Sequence, residues 1–195
     1  RLVEATALTN VGCVLALTGE YDLAIEYLLR ALGQHRSVSA IPHIPEVLAN
    51  LADIHLMAGY YDKAHEYLIE LDILDPHSNN KASVSSKFMC YGKLYAAEKF
   101  SGCNIELAED YFKKAISIAV EHGLKKEEIE ALKFLVDLVR KNEKWQEYAL
   151  ALERYSSLKE EVHNSEVKKL AMKHDFEFKQ SEREKDLAVE RAKHE

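Results

Sequence analysis

Nine histidines, three cysteines and 33 acidic residues are the side chains with which this chain of 195 residues could hold a metal or do nucleophilic chemistry. Metal capture needs ligands at short fixed spacings, such as CxxC pairs or HExxH on one helix face, and neither pattern occurs. Phosphate cradles are missing too, because the seven glycines are dispersed and form no GxxxxGK(S/T) or GxGxxG run. Cys13, Cys90 and Cys103 are odd in number and unclustered, which points away from a disulfide framework or zinc ribbon and towards a reducing, cytoplasmic compartment. Cys13 and Cys90 read as small apolar groups lining a groove or core. His55 falls at a core-lining position, where a packing histidine is expected. His174-Asp175 sets an imidazole beside a carboxylate as in a phosphoacceptor pair, yet no downstream proline or kinase motif accompanies it. The expectation is a chain without catalysis, cofactor or metal.

If the chain does no chemistry of its own, its elements must build a surface. Seven glycines and three prolines are too few turn formers for many short strands, and an apolar fraction of 47% beside 30% charged residues describes a helix-rich protein. No apolar run approaches the roughly 20 residues of a membrane span, and no signal-peptide pattern follows Arg1. A net charge of −7 without local basic patches argues against nucleic-acid or anionic-membrane partners.

Self-comparison finds a period. The stretch from Val11 to Ala24 aligns with Leu51 to Ala64 at an offset of 40 residues, pairing Gly19 with Gly59, Tyr21 with Tyr61 and Ala24 with Ala64. A third copy carries Tyr91-Gly92 and Tyr95 at the same phase, then Ala108, Phe112 and Ala115 after an insertion of four around Ser101–Asn104. A fourth, 44 residues on, runs Leu135, Val139, Asn142 and Trp145. Each copy reads as a helical hairpin, with apolar residues at three and four spacings and a Gly or Asn at the positive-φ turn. Ala24 and Ala64 allow close approach of the paired helices, Tyr21 and Tyr61 wedge between units, and Leu28 and Leu68 fill the groove between helices. Helices are expected near 3–18, 21–37, 44–58, 61–74, 80–99, 105–122, 126–141 and from 144 onward.

These landmarks, Val11-Gly12, Gly19-x-Tyr21, Ala24 and Ala31-Leu32, resemble the tetratricopeptide repeat. The resemblance implies an all-α solenoid of about four hairpins over residues 1–158, with repeats near 3–40, 44–78, 80–122 and 125–158. Copies three and four depart from the family pattern, the third lacking the turn glycine in its usual place and the fourth having Tyr148 where Ala is usual.

In such an array the concave face comes from the first helix of each hairpin. Repeat phasing places Thr6, Thr9, Asn10 and Cys13 there, then Glu46, Ala49, Asn50 and Asp53, then Met89, Cys90 and Lys93, then Lys133, Phe134 and Asp137. Asn10 and Asn50 are equivalent, and side-chain amides one repeat apart suit the backbone of an extended protein or peptide ligand. They suit bonds inside the array equally well. Chaperone-binding members of the family clamp a terminal carboxylate with Lys and Arg, whereas Glu46 and Asp53 stand here, so that ligand is not expected.

No Gly or Pro follows Gly123, so nothing stops a helix from Lys144 to Glu195, about 78 Å at 1.5 Å per residue. Residues 159–195 form its charged continuation, in which Val162, Met172, Phe176, Phe178 and Leu187, with Leu158 just before them, lack partners. A heptad seam through Leu158, Val162, Met172 and Phe176 suggests a parallel homodimeric coiled coil, with a solvated single helix as the alternative. This tail looks like the signalling helix between repeat arrays and output domains of bacterial signal-transduction proteins. Its ending Glu190-Arg191-Ala192-Lys193-His194-Glu195 is most similar to the helix preceding class III nucleotide cyclases, with histidine kinases and diguanylate cyclases next. That resemblance implies a regulatory module acting on an output domain outside this chain; the alternative is a free-standing scaffold that binds a peptide in its groove.

Overall fold

The computed structural model describes residues 2–37 and 41–194, without the side chains of residues 41, 182 and 185–194. Leu187 therefore lies outside the described side chains. The elements are α1 (Leu2–Leu17), α2 (Tyr21–Ser37), α3 (Ile44–Ala58), α4 (Tyr61–Leu74), α5 (Lys81–Ala96), α6 (Ile105–Glu121), α7 (Lys125–Lys141) and α8 (Trp145–His194). They divide into a compact unit from Arg1 to Leu152 and a second from Glu153 to Glu195. The first closes short of residue 158, where the sequence placed the end of the array.

The first unit is a stack of antiparallel hairpins, α1–α2, α3–α4 and α5–α6, with α7 packed on α6. Consecutive hairpins meet through α2 on α3, α4 on α5 and α6 on α7. Turn chemistry sets the hairpin ends. Gly19 and Gly59 take φ of 84° and 82°, a region where a Cβ is strained, and the Gly59 N–H caps α3 by donating to the His55 and Leu56 carbonyls. In the fourth hairpin Asn142, expected at this turn, has φ −95°, and the positive φ falls on Glu143 at 57°.

Helix α5 stops at Ala96, three residues before its expected end. The chain then loops to Asn104, whose side chain accepts from the Leu107 N–H at 2.9 Å and starts α6. Phe100 turns back from that loop into the core with Ala64, Leu68 and Leu94.

Small residues decide how closely the helices approach. Ala24, Ala64 and Ala108 are fully buried on the second helix of successive hairpins. On the first helices the equivalent positions 12, 52 and 92 hold Gly, Ala and Gly. A Cβ at Gly92 would lie 2.5 Å from the Phe112 ring, and one at Gly12 would lie 2.8 Å from Leu28. Glycine therefore stands where the facing α2 or α6 side chain crowds the first helix, and Leu68 tolerates Ala52.

The second unit is helical throughout its described length. Leu158, expected to face water unless a second chain covered it, is 1% exposed in the single chain, and Val162 is half-buried. From His163 to Ser181 every side chain is exposed, including Met172 at 60% and Phe176 at 61%.

Candidate functional site: a groove lined by first helices

The residues expected to line a groove fall on α1, α3, α5 and α7, and their surroundings separate them. Thr6 and Asn10 of α1 are exposed and Cys13 is half-buried. Burial, reinforced by the Glu46 carboxylate of α3, pushes the Cys13 thiol up. Thr9 is buried and returns its hydroxyl to the Ala5 carbonyl at 3.1 Å, so it offers nothing to a ligand. On α3, Glu46 is exposed while Ala49, Asn50 and Asp53 are half-buried. Among the described residues neither Asn10 nor Asn50 has a side-chain hydrogen bond, so their amides are not consumed inside the array.

Helix α5 departs from expectation. Met89 is buried with Ala115 and Ala131, and Cys90 with Tyr91 and Leu94, so neither lines an accessible groove. Both sit one step round the helix from Lys93 towards the neighbouring hairpins. Burial, then Asp53, raises the Cys90 thiol far above its ordinary value, which makes it an inert packing group.

Lys93 links three of the first helices. Its Nζ donates to Asp53 Oδ1 at 2.8 Å, joining equivalent positions of adjacent repeats, and lies 4.5 Å from the centroid of the Phe134 ring on α7. Burial works against the ammonium, yet its neighbours, led by Asp53, together outweigh it and the Lys93 pKa is raised. Asp53, Lys93 and Phe134 line a cleft of about 470 Å³ with Leu56, Met57, Tyr61 and Glu130. A second cleft, of about 720 Å³, runs between α3 and α5, with Pro45, Glu46, Ala49 and Asn50 on one wall and Ala82, Ser83, Ser86 and Lys87 on the other. Lys133 and Asp137 of α7 are exposed, and Asp137 meets Arg140 at 3.4 Å.

Sequence reasoning missed the Asp72 anchor. Lys87 Nζ and Tyr91 Oη both donate to the α4 carboxylate of Asp72 at 2.6 Å, tying the second hairpin to the third beside the larger cleft. The signal was present: Lys87 occupies the phase of Val47 and Ala131, and a lysine at an inward phase requires a counter-ion. His55 is buried as expected, with Nδ1 2.7 Å from the Leu51 carbonyl. His174 is exposed and lies 3.6 Å from Glu177. Among the described residues no three His, Cys, Asp or Glu side chains converge as metal ligands, and no helix is long and apolar enough to cross a membrane.

The arrangement presents peptide-like hydrogen-bond partners, apolar walls and a fixed ion pair along one face. The profile of the tetratricopeptide repeat matches residues 3–70. No curated protein matches the chain in sequence. Among solved structures, a Rap protein complexed with competence and sporulation factor aligns with a TM-score of 0.74 and 18% identity, over 84% of this chain and 45% of that one. The apo form of RapI gives 0.70 and 15%, over 86% and 60%. BtubC (BKLC) from P. vanneervenii gives 0.65 and 16%, over 82% and 64%. The chain thus has a tetratricopeptide-like α-solenoid fold and spans less than two thirds of each of these neighbours.

Proposed function

We propose that this chain is a non-catalytic protein-interaction module whose groove, along α1, α3, α5 and α7, holds an extended peptide segment. The observation that carries the proposal is the pair of equivalent amides, Asn10 and Asn50, one exposed and one half-buried at a cleft wall, neither bonded to a described residue. An amide in that state can donate to and accept from a peptide backbone. The groove subset is Thr6, Asn10, Cys13, Glu46, Asn50, Asp53, Lys93, Lys133, Phe134 and Asp137, without Met89. A neighbour of this fold is solved in complex with competence and sporulation factor, which agrees with a fold of this kind holding a binding partner.

The same reading makes the chain a regulatory part of a bacterial cytoplasmic signal-transduction protein. Residues beyond Val162 act as a dimerising helix, with Met172 and Phe176 on its seam, and hand the state of the groove to an output domain. The exposure of every side chain from His163 to Ser181 favours the second reading as well, a free-standing scaffold with a solvated tail.

Selection of peptides on the chain from a random library tests the groove. Asn10→Ala and Asn50→Ala should each weaken a selected peptide about three- to ten-fold, the worth of one or two hydrogen bonds. Because neither side chain is buried, stability should change by no more than about 0.5 kcal/mol. Retained affinity, or a large loss of stability, would contradict the proposal.

A further inference from the structure

Repeat phase makes three of the four first helices predict what the fourth should contact. Positions 7, 11 and 14 of α1 correspond to Val47, Leu51 and Ile54 of α3, to Lys87, Tyr91 and Leu94 of α5, and to Ala131, Leu135 and Leu138 of α7. All nine counterparts are buried. The second helix of the preceding hairpin packs on each of these first helices, α2 on α3, α4 on α5 and α6 on α7, and the shared cores hold Leu32 with Val47 and Leu51, Leu68 with Tyr91 and Leu94, and Ala115 with Ala131.

On α1 the same face is open. Ala7 is exposed, and Val3, Val11, Val14 and Leu17 are 84%, 42%, 60% and 86% exposed. Their spacing of three and four residues makes one continuous stripe over the whole length of the helix. A repeat array that ends at such a face needs a polar cap, because a stripe of this kind is otherwise covered by the next unit. Here the cap position carries valine and leucine in the pattern of an internal interface.

We propose that the outer face of α1 seats a preceding helical hairpin of the same polypeptide, so that the solenoid continues on the N-terminal side of α1. The occupant is defined by the interfaces that already exist in the molecule. It is an apolar second helix that repeats what α2, α4 and α6 bring to the following first helix, with Leu32, Leu68 and Ala115 in the shared cores. A contact with a second copy through α1 would set this stripe against itself, with Ala7 as its one small side chain, whereas every interface between hairpins in the molecule includes a second helix packed on a first helix. This inference rests on the fold alone and stands or falls independently of what the groove binds.

Val14→Cys tests it in two forms, the 195-residue chain and the polypeptide extended through its natural upstream residues. The exposed Cys103 serves as internal reference. In the 195-residue chain the new thiol should react with a maleimide about as fast as Cys103, and in the extended polypeptide at least about ten-fold more slowly, the protection of a site that opens only transiently. Val14→Glu should leave the melting temperature of the 195-residue chain unchanged and lower that of the extended polypeptide. Equal labelling in both forms, an upstream sequence without a helical pair, or protection in the 195-residue chain that disappears on dilution would each overturn the proposal. The last result would assign the face to a second copy.

Discussion

Beneath Phe112 and Leu28 there is no room for a Cβ at Gly92 and Gly12, whereas Gly33 of α2 has nothing near the position a Cβ would take. Gly92→Ala should therefore cost about 1–3 kcal/mol through overpacking, while Gly33→Ala should add about 0.5–1 kcal/mol of stability by restricting the unfolded chain. Urea unfolding of both variants checks the pair, and equal effects would mean that the Phe112 contact is not what selects glycine. Two buried imidazoles make a further prediction. Burial, then His43, lowers the His35 pKa, and burial lowers that of His55 against its bond to Leu51. Below the ordinary value of 6.5 the unfolded chain then takes up protons that the folded chain refuses, so stability is complete above that pH and falls as pH drops beneath it. Carboxylates held low, such as Glu109 between Lys113 and Lys144, lose their contribution only further down, towards and below 4.5. His35→Leu should flatten the slope of urea midpoint against pH just below 6.5, and an unchanged slope would remove His35 from the account. The sequence announced Gly92 as a repeat landmark, but its partner lies 20 residues along the chain, and only packing reveals which facing side chain demands the space.

At the scale of elements, helix bounds were legible because period and turn chemistry agree. They failed where one outran the other, at Ala96 and at Glu143. Apolar periodicity continues past Ala96, yet the chain leaves the helix to bring Phe100 back into the core. The face shared by the first helices was legible in outline. Repeat phase set Asn10, Asn50, Asp53 and Lys93 on one face of the first helices, but it set the buried Met89 there too, since phase alone does not distinguish an exposed face from the seam beside it. The link between the second and third hairpins went unseen because Asp72, Lys87 and Tyr91 belong to two different repeats. Removing Lys87, which is largely buried, by Lys87→Met should destabilise the chain by about 1.5–3 kcal/mol. Combining it with Asp72→Asn should cost less than the sum of the two single changes. Strict additivity in that double-mutant cycle would show that the pair does not hold the hairpins together.

For the whole molecule, the helix beyond Val162 decides whether the chain acts alone. Leu158 is buried within one chain, so a dimer seam must draw on Met172 and Phe176, and truncation after Val162 is the change that removes the seam while sparing buried residues. Light scattering should find the full chain dimeric at tens of micromolar, by estimate a fair range for a weak coiled coil, and the truncated chain monomeric. Two monomers would leave the solvated tail. Inserting Gly-Gly between Val162 and His163 should leave the repeats folded, since their helices are held by packing, and should abolish regulation of an attached output domain.

The central claim, that the face made by the first helices is where a peptide binds, is tested most directly by hydrogen exchange of the chain with and without a library-selected peptide. The account predicts slower exchange confined to α1, α3, α5 and α7, greatest around Asn10, Asn50 and Lys93 and lost in Asn10→Ala/Asn50→Ala. Protection centred on α2, α4 and α6, with the groove helices unchanged, would contradict it.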